Sequence, residues 1–155
     1  MEPRFVERPG IMLVGIVGAS SDVGKLDIVG LWERFDKQHK NIRHRVGEEF
    51  YEIHIQEETI PTMHFCLIGV EVEKIEDMPT ELFAKVIPPC NYAIFTHQFK
   101  NGSFGEAFRA VYNWLGESSY VPAYPFDIQC YDERFKGADN PDSIFEIYVP
   151  IKAGE

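Results

Sequence analysis

In Tyr92-Ala93-Ile94-Phe95-Thr96-His97-Gln98-Phe99-Lys100-Asn101-Gly102-Ser103-Phe104-Gly105-Glu106-Ala107-Phe108-Arg109-Ala110-Val111-Tyr112-Asn113-Trp114-Leu115, a pattern already met near the N-terminus starts again. Within Lys85 to His97, the apolar run Tyr92 to Thr96 reads as a strand. Ser103 to Leu115 reads as a helix, with Ser103 as N-cap and Glu106 three residues on to complete a capping box. Phe104, Ala107, Phe108, Val111 and Leu115 recur at the helical period and form its apolar stripe. The earlier version runs from Ile11 to Val17, a β-branched strand bounded by Pro9-Gly10 and Gly18. A helix over Leu26 to His39 follows, with Leu26, Val29, Leu31, Trp32 and Phe35 apolar and Asp22 or Asp27 available as its cap. Each helix is then followed by two strands: Phe50 to Gln56 and Met63 to Val72 after the first, Phe126 to Tyr131 and Ile144 to Lys152 after the second.

Strand–helix–strand–strand, twice, is an α+β duplicated βαββ fold, with repeats over about 1–77 and 78–155 of a single domain. Two such halves can share one antiparallel sheet with both helices on one face, leaving the other face to form a ligand groove. Pro79, Pro88-Pro89, Pro122, Pro125 and Gly137-Ala138-Asp139-Asn140-Pro141 fall in the links, where chain breakers belong.

Composition narrows the function. The 155 residues are 45% hydrophobic and 14% aromatic, enough for a packed core. A net charge of −10 repels phosphate backbones, so nucleic acid is not an expected partner, and a cationic ligand would be attracted. Cys66, Cys90 and Cys130 are odd in number, far apart and in apolar surroundings, which reads as free thiols in a reducing cytoplasm. Neither a signal peptide nor an apolar run of spanning length is present, so no membrane is expected.

Several chemical motifs fail. Gly18 to Lys25 lies between a strand and a helix, but five residues separate Gly18 from Gly24, and Leu26 stands where a P-loop needs a hydroxyl. His39, His44, His54, His64 and His97 form no HxxxH or HExxH, and no cysteine lies at ligand spacing, so no metal is expected. GxSxG is absent.

The last strand holds the leading site candidate. Alternation over Ile144-Phe145-Glu146-Ile147-Tyr148-Val149-Pro150-Ile151 puts Phe145, Ile147, Val149 and Ile151 under the helices, and Glu146 with Tyr148 on the opposite face. A carboxylate beside an aromatic in an apolar concavity would balance and stack on a cation, and such burial would raise its pKa. Over Phe50 to Gln56, alternation separates Phe50, Glu52 and His54 from Tyr51, Ile53 and Ile55 and leaves open which set faces the groove.

Taken in order, several segments resemble the GyrI-like small-molecule-binding proteins, which are related to the effector-binding domains of AraC-type and MerR-type multidrug regulators. They are Glu2-Pro3-Arg4, Gly30-Leu31-Trp32-Glu33-Arg34-Phe35, Gly69-Val70-Glu71-Val72, Ile87-Pro88-Pro89, Tyr92 to His97, Tyr112-Asn113-Trp114-Leu115 with Ser118-Ser119-Tyr120, and Phe145 to Lys152. The resemblance implies a duplicated βαββ fold and an aromatic groove binding a lipophilic, drug-like cation, for sensing or sequestration, with no cofactor. It implies Glu146 as the counter-charge and Tyr148 on the same face, with Trp114, Tyr112 and Tyr51 as further wall candidates. Two other activities fall within the family pattern. One is hydrolysis of cyclopropane-bearing toxins, with Glu146 as general base and Tyr148 or Tyr112 as donor. The other is inhibition of DNA gyrase by direct association. A gyrase or regulator partner, and a monomer or dimer, stay open.

Overall fold

The computed structural model describes residues 1–155, the side chain of Val23 excepted. Nine strands form one antiparallel sheet: β1 (Arg4–Arg8), β2 (Ile11–Ser20), β3 (Phe50–Gln56), β4 (His64–Val72), β5 (Phe83–Ile87), β6 (Cys90–Gln98), β7 (Tyr120–Pro122), β8 (Phe126–Tyr131) and β9 (Ile144–Ala153). The helices are α1 (Ile28–Gln38) and α2 (Phe104–Glu117). Asp27 caps α1 by accepting from the Gly30 amide, and Ser103 with Glu106 forms the expected capping box on α2.

The expected duplication is present and reaches further than βαββ. The strand order β1-β6-β9-β8-β3-β4-β2-β5 maps onto itself when β1 exchanges with β5, β2 with β6, β3 with β8 and β4 with β9. Each half is therefore a leading strand plus βαββ, and each leading strand pairs across with the other half, β1 on β6 and β5 on β2. The sequence reading missed β1 and the short β7, and it ran β5 together with β6. Strands of three to five residues at sheet edges carry too little alternation to announce themselves.

The pseudo-twofold passes through β3 and β8, where the halves join. There Glu52 lies opposite Gln129, Ile53 opposite Ile128, and His54 opposite Asp127. An axis through the Glu52–Gln129 pair exchanges those two residues, His54 with Tyr131 and Phe50 with Asp127, as the matching ends of the β2–β4 and β6–β9, β2–β5 and β1–β6, and β3–β4 and β8–β9 ladders require.

Alternation then sorts the core. On the helix face, α1 packs over Val14, Ile16, Ile68 and Val70 through Leu31 and Phe35, while α2 packs over Phe95, Phe145, Ile147 and Val149 through Ala107, Val111 and Leu115. A Cβ at Gly18 would lie 2.9 Å from the Leu31 side chain, so glycine lets α1 settle closely on β2. The opposite face is where a groove was expected, and it is packed shut. Ile11, Leu13, Tyr51, Ile53, Leu67, Ile87, Tyr92, Ile94 and Ile128 bury one another there without a covering helix. They can do so because the sheet curls on itself: Arg8 of β1 reaches Glu71 of β4 at 3.1 Å, although β6, β9, β8 and β3 lie between those strands in the sheet. The curl fills this concave side with its own side chains.

Candidate ligand-binding site

The large opening lies between the two helices, on their face of the sheet. A cavity of about 710 Å³ is bounded by Ile28, Trp32 and Asp36 of α1, Phe104 and Phe108 of α2, and Phe50, Glu52 and His54 of β3. Gln129 and Tyr131 of β8, with Asp132 and Phe135 beyond it, complete the lining. The set Phe50, Glu52 and His54 therefore faces the ligand space. A second cavity of about 300 Å³ shares His54 and is lined further along by Gln56, His64, Tyr112, Tyr124, Phe126 and Asp127.

The walls of the larger cavity are aromatic and mutually braced. The Trp32 ring stands edge-on to Tyr131 at 5.6 Å and to Phe50 at 6.3 Å, and Tyr131 meets Phe135 at 4.8 Å. Such tilted contacts hold the rings in fixed orientations around the cavity.

Its floor carries a buried carboxylate. Glu52 is only 5% exposed, and its two oxygens have different partners. Trp32 Nε1 donates to Oε1 at 2.6 Å, and His54 Nε2 meets Oε2 at 2.7 Å. The Glu52 hydrogen bond raises the His54 pKa above its ordinary value; burial opposes this, and the charges of Glu52 and Asp127 reinforce it. Asp127 lies in the smaller cavity, where burial raises its carboxyl, against the opposing hydrogen bond from the Tyr112 hydroxyl and the nearby His54. On the rim of the larger cavity, Asp132 is already clamped by Arg134, at 2.7 to 3.1 Å, and so offers less free charge.

Of the residues expected to line the groove, Tyr112 reaches the smaller cavity. The others do not line either cavity. Glu146 and Tyr148 lie on the concave side, as alternation required, but that side is not the open one. The Glu146 carboxylate is saturated: Arg4 and Thr96 donate to Oε2, and Arg134 to Oε1 at 3.1 Å. Burial pushes the Glu146 carboxyl up, but these hydrogen bonds outweigh it and hold it below the ordinary carboxylate range, opposite to the expected direction. Tyr148 packs on Tyr92, their rings 5.8 Å apart. Tyr51 is buried in the same concave cluster. Trp114 lies on the flank of α2, against Phe95, Phe5 and Tyr120.

Glu52 was missed as a site residue because parity alone cannot say which face of β3 is open. The expectation of no metal ligands also changes. Sheet register sets His54 opposite Cys66, and the donor atoms of Glu52, His54 and Cys66 lie within 4.8 Å of one another, a group able to hold a metal ion. As placed, the 2.7 Å Glu52–His54 contact is a hydrogen bond, since two donors on one tetrahedral zinc sit about 3.3 Å apart. Cys66 is fully buried and its thiol is pushed up to about 12 by that burial, so it is no ready thiolate. No described helix is long and apolar enough to cross a membrane.

Comparisons with known proteins agree with this architecture. The chain is 34% identical over 155 residues to the transcriptional regulator BrlR of Pseudomonas aeruginosa, covering 97% of this chain and 56% of the regulator, so it spans just over half of that relative. Its fold is similar to that of SAV2435, solved bound to tetraphenylphosphonium, with a TM-score of 0.76 at 16% identity over 98% of this chain and 94% of that one. It is also similar to the C-terminal domain of EcmrR, with a TM-score of 0.69 at 14% identity over 98% of both chains. The model of the GyrI-like small molecule binding domain matches residues 1–152, and the chain belongs to that family.

Proposed function

We propose that the interhelical cavity binds a lipophilic organic cation, with Glu52 as its counter-charge and the aromatic walls as its stacking surfaces. The observation that carries this reading is the buried Glu52 carboxylate on the floor of a 710 Å³ aromatic cavity, held by one neutral donor, Trp32, and one titratable partner, His54. When His54 is neutral, the carboxylate lacks a compensating positive charge. A cation entering the cavity supplies that charge where a buried anion is otherwise costly. Rings facing the guest add cation–π attraction and apolar burial, worth about 25 cal/mol per Å² of apolar surface removed from water.

Glu146 is the weaker candidate for the counter-charge because Arg4 and Arg134 already neutralise it on the closed side of the sheet. The net charge of −10 favours approach of cations to the molecule. The tetraphenylphosphonium bound to SAV2435 is a ligand of the proposed class, and the relative BrlR is a transcriptional regulator. For the present chain, sensing or sequestration both follow from reversible binding.

Tetraphenylphosphonium and tetraphenylborate have nearly the same shape and opposite charge. Calorimetric titration of each into the protein is expected to give micromolar binding of the phosphonium and none of the borate. Equal binding of both would mean that the cavity reads shape alone and would overturn the counter-charge.

A further inference from the structure

We infer that the site has two acidic recognition points on the paired central strands β3 and β8, and that its preferred ligands are elongated dications: a bulky aromatic body at Glu52 and a slender second ammonium at Asp127. This deepens the reading of the site as a cation receptor and rests on it.

Glu52 pairs with Gln129 and His54 with Asp127, so Glu52 and Asp127 stand one pair apart on the same face of the seam between the halves. Both point to the helix face. On neighbouring antiparallel strands they are diagonal neighbours, with backbones about 7–8 Å apart. The two cavities repeat this relationship, since Glu52 lines the larger, Asp127 the smaller, and His54 both.

The surroundings of the two carboxylates differ. Glu52 is held by the Trp32 indole beneath a broad aromatic chamber, which suits a multi-ring body. Asp127 accepts from the Tyr112 hydroxyl beside Tyr124, Pro125 and Phe126, in under half the volume, which suits an alkylammonium. The imidazole of His54 borders both cavities and hydrogen-bonds Glu52. A monocation can answer only one carboxylate. A dication of suitable length answers both, and the second contact is then intramolecular in its entropy cost.

The test uses a matched pair, N-(1-naphthylmethyl)pentylammonium and N-(1-naphthylmethyl)-1,4-diaminobutane, which differ only in a terminal methyl or ammonium. Calorimetry at about pH 8.5, above the ordinary histidine range, keeps both ligands charged. In the wild type the dication is expected to bind at least tenfold more tightly. In Asp127→Asn, which keeps the shape and an acceptor for Tyr112, that preference should disappear. Equal affinity of the two ligands for the wild type overturns the inference without recourse to any variant, and so does a preference that survives Asp127→Asn. In either case, continued monocation binding that depends on Glu52 leaves the primary reading standing. Failure of both ligands to bind overturns the two together.

Discussion

Trp32 and Glu52 meet through one hydrogen bond, indole Nε1 to carboxylate Oε1 at 2.6 Å, which ties α1 to the centre of the sheet at the floor of the cavity. The same contact fixes the ring wall and aims the carboxylate.

That coupling is measurable. Trp32→Phe keeps most of the wall but leaves a buried carboxylate oxygen without its donor, a loss of about 1–3 kcal/mol. Chemical denaturation of Trp32→Phe, Glu52→Gln and the double variant is expected to give an interaction energy of about 1 kcal/mol or more. Additive losses would mean that the bond contributes nothing to the site's rigidity.

Cation binding should depend on pH through His54. Its folded pKa is raised by the Glu52 hydrogen bond, so at low pH the imidazolium already occupies the carboxylate. As pH rises through that pKa the proton leaves and Glu52 is freed for the ligand. Tetraphenylphosphonium affinity is therefore expected to increase with pH across the upper histidine range, and Glu52→Gln and His54→Gln should both flatten the profile. The stability contributed by the ion pair runs the other way: it is complete below the unfolded histidine pKa and lost as pH rises through the folded one. An affinity that falls with rising pH would contradict the competition.

Glu146 belongs to stability. Its carboxyl is held low by Arg4, Thr96 and Arg134 despite burial, so its contribution is present above the unfolded carboxylate pKa and is lost as pH falls through the folded value. Glu146→Gln is expected to cost about 1–3 kcal/mol at neutral pH, and the difference from wild type should shrink in acid. Denaturant midpoints measured from neutral pH down to the acid limit of folding would reveal it. A gap that stays constant would show that the carboxylate's charge is irrelevant there.

Much of the fold was legible because its elements are long and strongly patterned. Phe104, Ala107, Phe108, Val111 and Leu115 specify α2, and the alternation of Ile144 to Ile151 placed Phe145 and Ile147 under it correctly. The site was less legible for a physical reason. Alternation divides a strand into two faces but does not state which face is open, and here the curl of the sheet closed the one expected to be open. That curl rests on non-local contacts such as Arg8 with Glu71, which no local pattern reveals. The same limit hid the convergence of His54 with Cys66, twelve residues apart and brought together only by register.

The most direct test sets the two glutamates against each other. Tetraphenylphosphonium is titrated into the wild type, Glu52→Gln and Glu146→Gln at the same pH above the His54 titration. A cavity built on Glu52 predicts at least a tenfold loss of affinity, about 1.4 kcal/mol, in Glu52→Gln and less than a twofold change in folded Glu146→Gln. The reverse pattern would move the ligand to the concave side of the sheet and contradict the interhelical site.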